Sequence, residues 1–136
     1  MRKLFTAALA LAPFFAAPAF SQETSTVTFR PGDYGTMVSG QITGDAYRDY
    51  VLGANAGQEL FAELTVAGGN GSGTAYFNIL PPGSAAEAIF NGSMTDGKST
   101  RLELPESGDY TIRVYLLGND KDAGKTVAYN LDLSIQ

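Results

Sequence analysis

The chain has 136 residues, a formal net charge of −5, and neither Cys nor His. Those absences remove disulfides, the usual metal ligands and any Ser-His or Cys-His nucleophile pair. The acidic balance argues against nucleic acid as a partner, because phosphate binding takes clustered Lys and Arg.

Residues 1–21 read as a leader rather than as part of the fold. Arg2 and Lys3 make a basic start, Leu4 to Phe15 an apolar run, and Ala16 to Ser21 a small-residue end. That is the three-part layout of a secretory signal peptide. The run is shorter than the roughly 20 apolar residues a membrane span needs. Cleavage before Gln22 or before Phe20 fits the small residues, and no Cys follows that could carry a lipid. The expectation is an exported protein without a membrane anchor, working in the periplasm, its single domain covering residues 22–136. Loss of Arg2 and Lys3 from nine basic residues leaves seven against fourteen acidic ones, a net charge of −7. A negative surface aids solubility and favours approach to a basic protein.

From here on, alternation with period two recurs and no sustained helical period competes with it. The first run is Thr26 to Arg30, with Val27 and Phe29 on one face. Val38, Gly40 and Ile42 mark the second, and Tyr47 to Leu52 the third. Leu60, Ala62, Leu64 and Val66 form the apolar face of the fourth. Thr74 to Leu80 and Ala88 to Gly92 read as the fifth and sixth. Leu102 and Leu104 belong to the seventh. The eighth (Tyr110, Ile112, Val114, Leu116) and ninth (Tyr129, Leu131, Leu133, Ile135) alternate most cleanly and are expected to be central, with Tyr110 and Tyr129 turned inward. Turn chemistry separates the runs at Pro31-Gly32-Asp33, Thr43-Gly44-Asp45, Asn55-Ala56-Gly57, Pro81-Pro82-Gly83, Asp96-Gly97 and Glu106-Ser107-Gly108. The Gly68–Gly73 run reads as a flexible hairpin tip, and Ser84 to Ala88 has room for one short helical turn. Half-apolar strands at this spacing must hide their faces by stacking two sheets. The fold class is all-β, an antiparallel β-sandwich of about eight to nine strands.

Little in the chain suggests catalysis. The acidic pairs Asp45/Asp49 and Asp120/Asp122 each fall within one loop or strand end, not across a cleft as a carboxylate pair acting on a sugar requires. Asp120-Lys121-Asp122 lacks the further oxygen ligands of a calcium loop. No catalytic residue, metal or cofactor is expected. Asn70-Gly71-Ser72 and Asn91-Gly92-Ser93 match the glycosylation tripeptide but read as tight turns. Two features suit binding: Tyr47, at the start of a strand, and the hydrophilic Leu117–Thr126 loop between the two best strands.

Several stretches are familiar in their order. They are Val27-Thr28-Phe29-Arg30-Pro31-Gly32, Ser39-Gly40-Gln41-Ile42-Thr43-Gly44, Tyr47-Arg48-Asp49-Tyr50, Leu104-Pro105-Glu106-Ser107-Gly108-Asp109-Tyr110, Asn119-Asp120 and Tyr129-Asn130-Leu131-Asp132-Leu133-Ser134-Ile135. The chain resembles the bacterial periplasmic inhibitors of goose-type (g-type) lysozyme over nearly all of residues 22–136. It resembles more loosely the pre-peptidase C-terminal β-sandwich domains. The first resemblance implies a non-enzymatic protein whose partner is a lysozyme and whose loops, at one end of the sandwich, enter the lysozyme's active-site cleft. The contacts it implies are Tyr47, Ser107 with Gly108, and the loop residues Asn119, Asp120, Lys121 and Lys125. Tyr47 would stack, Ser107 would hydrogen-bond, and Lys121 or Lys125 would neutralise a cleft carboxylate. Family loops usually carry Arg where this chain has Gly118 and Asp122. The second resemblance implies a binding module for glycan or for another exported protein.

Overall fold

A computed structural model describes residues 22–95 and 98–136. The expected leader, 1–21, and the expected turn at Asp96-Gly97 lie outside the described residues. The strands are β1 (Gln22–Thr26), β2 (Gly35–Thr43), β3 (Tyr47–Ala54), β4 (Glu59–Gly69), β5 (Ala75–Leu80), β6 (Phe90–Asn91), β7 (Ser99–Glu103), β8 (Gly108–Leu116) and β9 (Thr126–Ile135). A short helix, α1 (Gly118–Asp122), precedes β9, and a 3-10 turn, Gly92–Met94, follows β6. One sheet has the order β1-β3-β8-β5-β6 and the other β2-β9-β4-β7. This is the expected all-β sandwich.

The two most regular strands are interior, as their alternation foretells. β8 pairs with β3 and β5, and β9 pairs with β2 and β4. Their apolar faces meet in one core: Tyr110, Ile112, Val114 and Leu116 from β8 against Tyr129, Leu131, Leu133 and Ile135 from β9. Leu52, Leu60, Phe77 and Ile79 fill the space between them and have no exposed surface. Stacking is obligatory, since each sheet has one apolar face that only the other can cover.

Three sequence expectations change. The first strand is not Thr26–Arg30 but Gln22–Thr26, and it runs parallel to β3, with Gln22 beside Tyr47 and Thr26 beside Val51. Val27 still donates its N–H to Val51 O at 2.8 Å and is buried, but the chain then leaves for the other sheet. Burial of Val27 and Phe29 mimics a strand because residues crossing between sheets also seal the core. Gly68–Gly73 is not a hairpin tip, because β4 and β5 belong to different sheets. It is a crossover pinned by Asn70, whose N–H bonds to Thr126 O at 3.0 Å and whose Oδ1 accepts from Thr126 N–H at 2.8 Å. Ser84 to Ala88 contains no helical turn; the short helices lie at 92–94 and 118–122 instead.

A polar knot closes one end of the core. Tyr50 and Tyr129 share a buried hydroxyl–hydroxyl hydrogen bond of 2.6 Å, with their rings edge to face. Arg48 lies beside them. A Cβ at Gly40 would stand 2.5 Å from Arg48 Nη1, 2.7 Å from Tyr129 Oη and 3.0 Å from Tyr50 Oη. Glycine is required there by space. Burial pushes the Tyr129 hydroxyl far above its ordinary pKa, and the bond to Tyr50 adds to the effect.

Candidate functional site

The strand directions decide which loops can act together. β3 and β8 are antiparallel, with Tyr47 opposite Tyr115 and Ala54 opposite Gly108. Tyr47 and the segment after Leu116 therefore share one end of the sandwich. Ser107 and Gly108 sit at the other, about 27 Å away along β8 at the usual rise per residue. The single contact end implied by the resemblance is thus split by the topology.

At the first end, three segments are bolted together around Asp120. Its carboxylate, 1 % exposed, accepts N–H bonds from Ser72 at 2.7 Å and Thr74 at 2.8 Å. These bonds, that from Thr74 first, hold its carboxyl below the ordinary carboxylate range. Gly71 is small for the same reason, as a Cβ there would meet Asp120 Oδ1 at 2.7 Å. Leu117 N–H bonds to Thr74 O at 3.2 Å, Lys125 N–H to Asp120 O at 2.9 Å, and Gly44 N–H to Lys125 O at 2.9 Å. The β2–β3 turn, the β4–β5 crossover and the β8–β9 crossover are therefore one unit. Asn119, Lys121 and Asp122 stand exposed on it, and Lys125 is half-buried. A shallow depression of about 400 Å³ opens between Gly44, Asp45, Lys121, Asp122 and Gly124.

The Leu117–Thr126 loop is neither a hairpin nor free, since β8 and β9 lie in different sheets and α1 orders it. Of the loop's candidate contacts, Asn119, Lys121 and Lys125 keep side chains within reach of a partner. The Asp120 carboxylate is turned inward and holds the others in place.

Tyr47 is half-buried rather than free-standing. The Arg113 guanidinium lies over its ring, 4.3 Å from the centroid. That guanidinium in turn makes a two-pronged bond to Asp49, Nε to Oδ1 at 2.8 Å and Nη2 to Oδ2 at 3.0 Å, and Nη1 donates to Ala85 O at 3.1 Å. The Asp49 bond holds Arg113 still more firmly protonated. Tyr47 is thus a pre-positioned ring backed by a fixed cation. Nothing within its own strand singles out Arg113; its register opposite Asp49, visible only once β3 and β8 pair, is the signal that exposes it.

Beside Tyr47, at the edge between β1, β3 and β2, lies a larger cavity of about 610 Å³ lined by Glu23, Gln41, Ile42, Thr43, Asp45, Ala46, Tyr47 and Arg48. Arg48 Nη2 is bonded in its wall to Glu23 Oε2 at 2.7 Å.

At the opposite end Ser107 does structural work. Its Oγ accepts the Ala56 N–H at 2.8 Å, tying the β7–β8 turn to the β3–β4 turn. Tyr110 locks the same turn, its hydroxyl donating to Glu106 O at 2.7 Å and accepting Glu106 N–H at 3.0 Å.

Asp49 is committed to Arg113, and Asp120 to the Ser72 and Thr74 N–H groups. Among the described residues no three metal-ligating side chains gather. The arrangement can present a rigid surface to a partner; it offers no activated nucleophile.

Comparison with known proteins gives concordant results. No family model matches the chain. It is 29% identical over 110 residues to the inhibitor of g-type lysozyme of Escherichia coli (strain K12), covering 81% of this chain and 79% of that one. The solved structure of an Aeromonas hydrophila periplasmic lysozyme inhibitor of g-type lysozyme superposes with a TM-score of 0.75 at 32% identity, covering 85% of this chain and 98% of that chain. The pre-peptidase C-terminal domain of a Bacillus anthracis collagenase shares the fold, with a TM-score of 0.52 and 13% identity over 85% of this chain and 94% of that one.

Proposed function

The chain belongs to the family of periplasmic inhibitors of g-type lysozyme, and from that premise we propose that it is exported to the periplasm and blocks a g-type lysozyme with the Tyr47–α1 end of its sandwich. It acts by binding and carries out no reaction. The observation that carries the reading is the Asp120 clamp. It holds an exposed Asn119–Lys121 turn rigid beside a braced tyrosine, so little conformational entropy is lost on docking. Tyr47 supplies an amphipathic ring, a common anchor of protein interfaces. Lys121 and Lys125 supply the positive charge opposite a carboxylate-bearing cleft. A lysine makes a point contact where an arginine would make a fork, so Gly118 and Asp122, in the positions where family loops carry Arg, lower affinity by roughly 1–3 kcal/mol per charge-assisted bond lost.

Inhibition constants against a g-type lysozyme test this for wild type, Tyr47→Ala, Lys121→Ala/Lys125→Ala and Ser107→Ala. The first two variants are expected to weaken inhibition tenfold or more, about 1.4 kcal/mol. Ser107→Ala, at the far end, is expected to change it less than twofold. A wild type that fails to inhibit, or a Ser107→Ala effect larger than both others, refutes the assignment. Export is tested separately: the protein recovered from the periplasm should begin at Gln22 or Phe20, and an intact Met1 refutes cleavage.

A further inference from the structure

The outer face of the β1-β3-β8-β5-β6 sheet has an unusual composition at its Tyr47 end. Outward positions of a sandwich normally carry Thr, Ser, Lys or Glu. Here Tyr47, Tyr115 and Tyr76 are direct cross-strand partners on three adjacent strands, β3, β8 and β5. They form one row across the sheet, about 10 Å long for two inter-strand steps. The rings of Tyr76 and Tyr115 are 6.3 Å apart and tilted by 34°. All three are half-exposed.

Behind this row lies a second, Asp49–Arg113–Asn78–Asn91, also set by register. The Asn78 amide is oriented by its surroundings. Gly92 N–H, which can only donate, bonds to Asn78 Oδ1 at 3.2 Å, and Tyr115 Oη donates to the same oxygen at 2.7 Å. Asn91 Oδ1 accepts from Ser93 Oγ at 2.9 Å, and Tyr115 Oη, whose one proton goes to Asn78, lies 3.4 Å away. Each carbonyl oxygen accepts a bond from within the protein. Neither Nδ2 group has a partner among the described residues, and no buried polar side-chain atom there lacks one, so the amide donors are open to solvent. Asp49 is paired with Arg113, and the Lys98 ammonium, 5.8 Å from the Tyr76 centroid, donates to Gly73 O at 2.9 Å and keeps two further N–H donors.

From this juxtaposition we infer that the Tyr76–Tyr115–Asn78–Asn91 face is a glycan-binding platform for an N-acetylated polysaccharide bearing carboxylates, the chemistry of peptidoglycan. A pyranose ring offers flat C–H faces to tyrosine rings, and its acetamido carbonyl and hydroxyl oxygens are the acceptors that two outward amide groups lack. Lys98 lies where a carboxylate on the sugar or its peptide stem would be drawn. Nucleic acid, which also stacks on aromatics, needs a cluster of cations rather than one lysine. A peptide cannot add as a strand here, because a sheet face exposes no unpaired ladder. The inhibitor would thus rest on the polymer that its target enzyme cuts.

Co-sedimentation of the purified protein with protein-free sacculi, and calorimetric titration with a soluble N-acetylglucosamine–N-acetylmuramic acid tetrasaccharide, test this. The wild type should sediment with sacculi and bind the tetrasaccharide at least tenfold more tightly than a cellulose-derived tetrasaccharide without acetamido groups. Tyr76→Ala and Asn91→Ala should each cut binding fivefold or more, and Tyr76→Phe should keep most of it, all with cooperative melting retained. Inhibition of lysozyme by Tyr76→Ala should match the wild type. Absence of glycan binding by the wild type overturns the inference, as does full binding by the Tyr76→Ala/Asn91→Ala double variant. Loss of lysozyme inhibition in Tyr76→Ala with glycan binding intact also overturns it, by giving the face to the enzyme instead. A wild type that binds glycan but inhibits no lysozyme leaves this inference standing and removes the inhibitory one.

Discussion

Asp120 shows how one side chain can look like a contact and act as a strut. In the sequence it sits in a hydrophilic loop between Asn119 and Lys121; in the fold its carboxylate fastens the β4–β5 crossover. Because those N–H bonds lower its folded pKa, its stabilisation is present above the ordinary carboxylate value of about 4 and is lost as pH falls through the folded value. Asp120→Asn should lower the melting temperature at pH 7, and the gap from wild type should shrink steadily as melts are repeated from pH 5 toward pH 2. A gap independent of pH would contradict the clamp. The Gly40 knot makes a second prediction. Tyr129→Phe leaves the Tyr50 hydroxyl buried without its partner and should cost about 1–3 kcal/mol in urea unfolding. Gly40→Ala forces a Cβ against three polar heads and should cost a similar amount, about 1–3 kcal/mol.

At the scale of elements, stability concentrates in β8 and β9. Leu133, on the β9 face turned into the core, is 2 % exposed. Leu133→Asp buries an unpaired charge there and should cost at least about 4 kcal/mol, a large share of a domain's total of roughly 5–15 kcal/mol. Loss of the cooperative melt is the expected readout. The same alternation that marks these strands was legible for β2 through β5, because period-two burial is imprinted on each strand's own residues. It was not legible for β1, whose residues, Gln22 to Thr26, carry no apolar face. Only the parallel partnership with β3 makes it a strand. Nor was α1 readable, since five residues are too few to show a helical period, and its order comes from bonds to residues some fifty positions away.

Over the whole molecule, charge and geometry act at different ranges. With residues 1–21 removed the net charge is −7, so association with a basic lysozyme is expected to slow as salt rises from 50 to 500 mM while dissociation changes less. An association rate indifferent to salt would show that steering plays no part. Tyr47, Asn119, Lys121 and Lys125 share one end of the sandwich, and Ser107 braces the other.

The amino-acid order alone determined the all-β class, the inward set of β8 and β9 and the family likeness, because those follow from residue type and from spacing within single strands. Which loops meet was decided only by the tertiary structure. The hydrogen bonds that bring the segments of the candidate site together join residues distant in the chain: Asp49 to Arg113, Asp120 to Ser72 and Thr74, and Gly44 to Lys125. Such bonds depend on strand order and register, and a one-residue slip in register would turn each side chain to the other face. Local pattern could therefore name Tyr47 and the 117–126 loop as candidates. It could not show that Arg113 braces the first, that Asp120 anchors the second, or that Ser107 stands about 27 Å from both along β8.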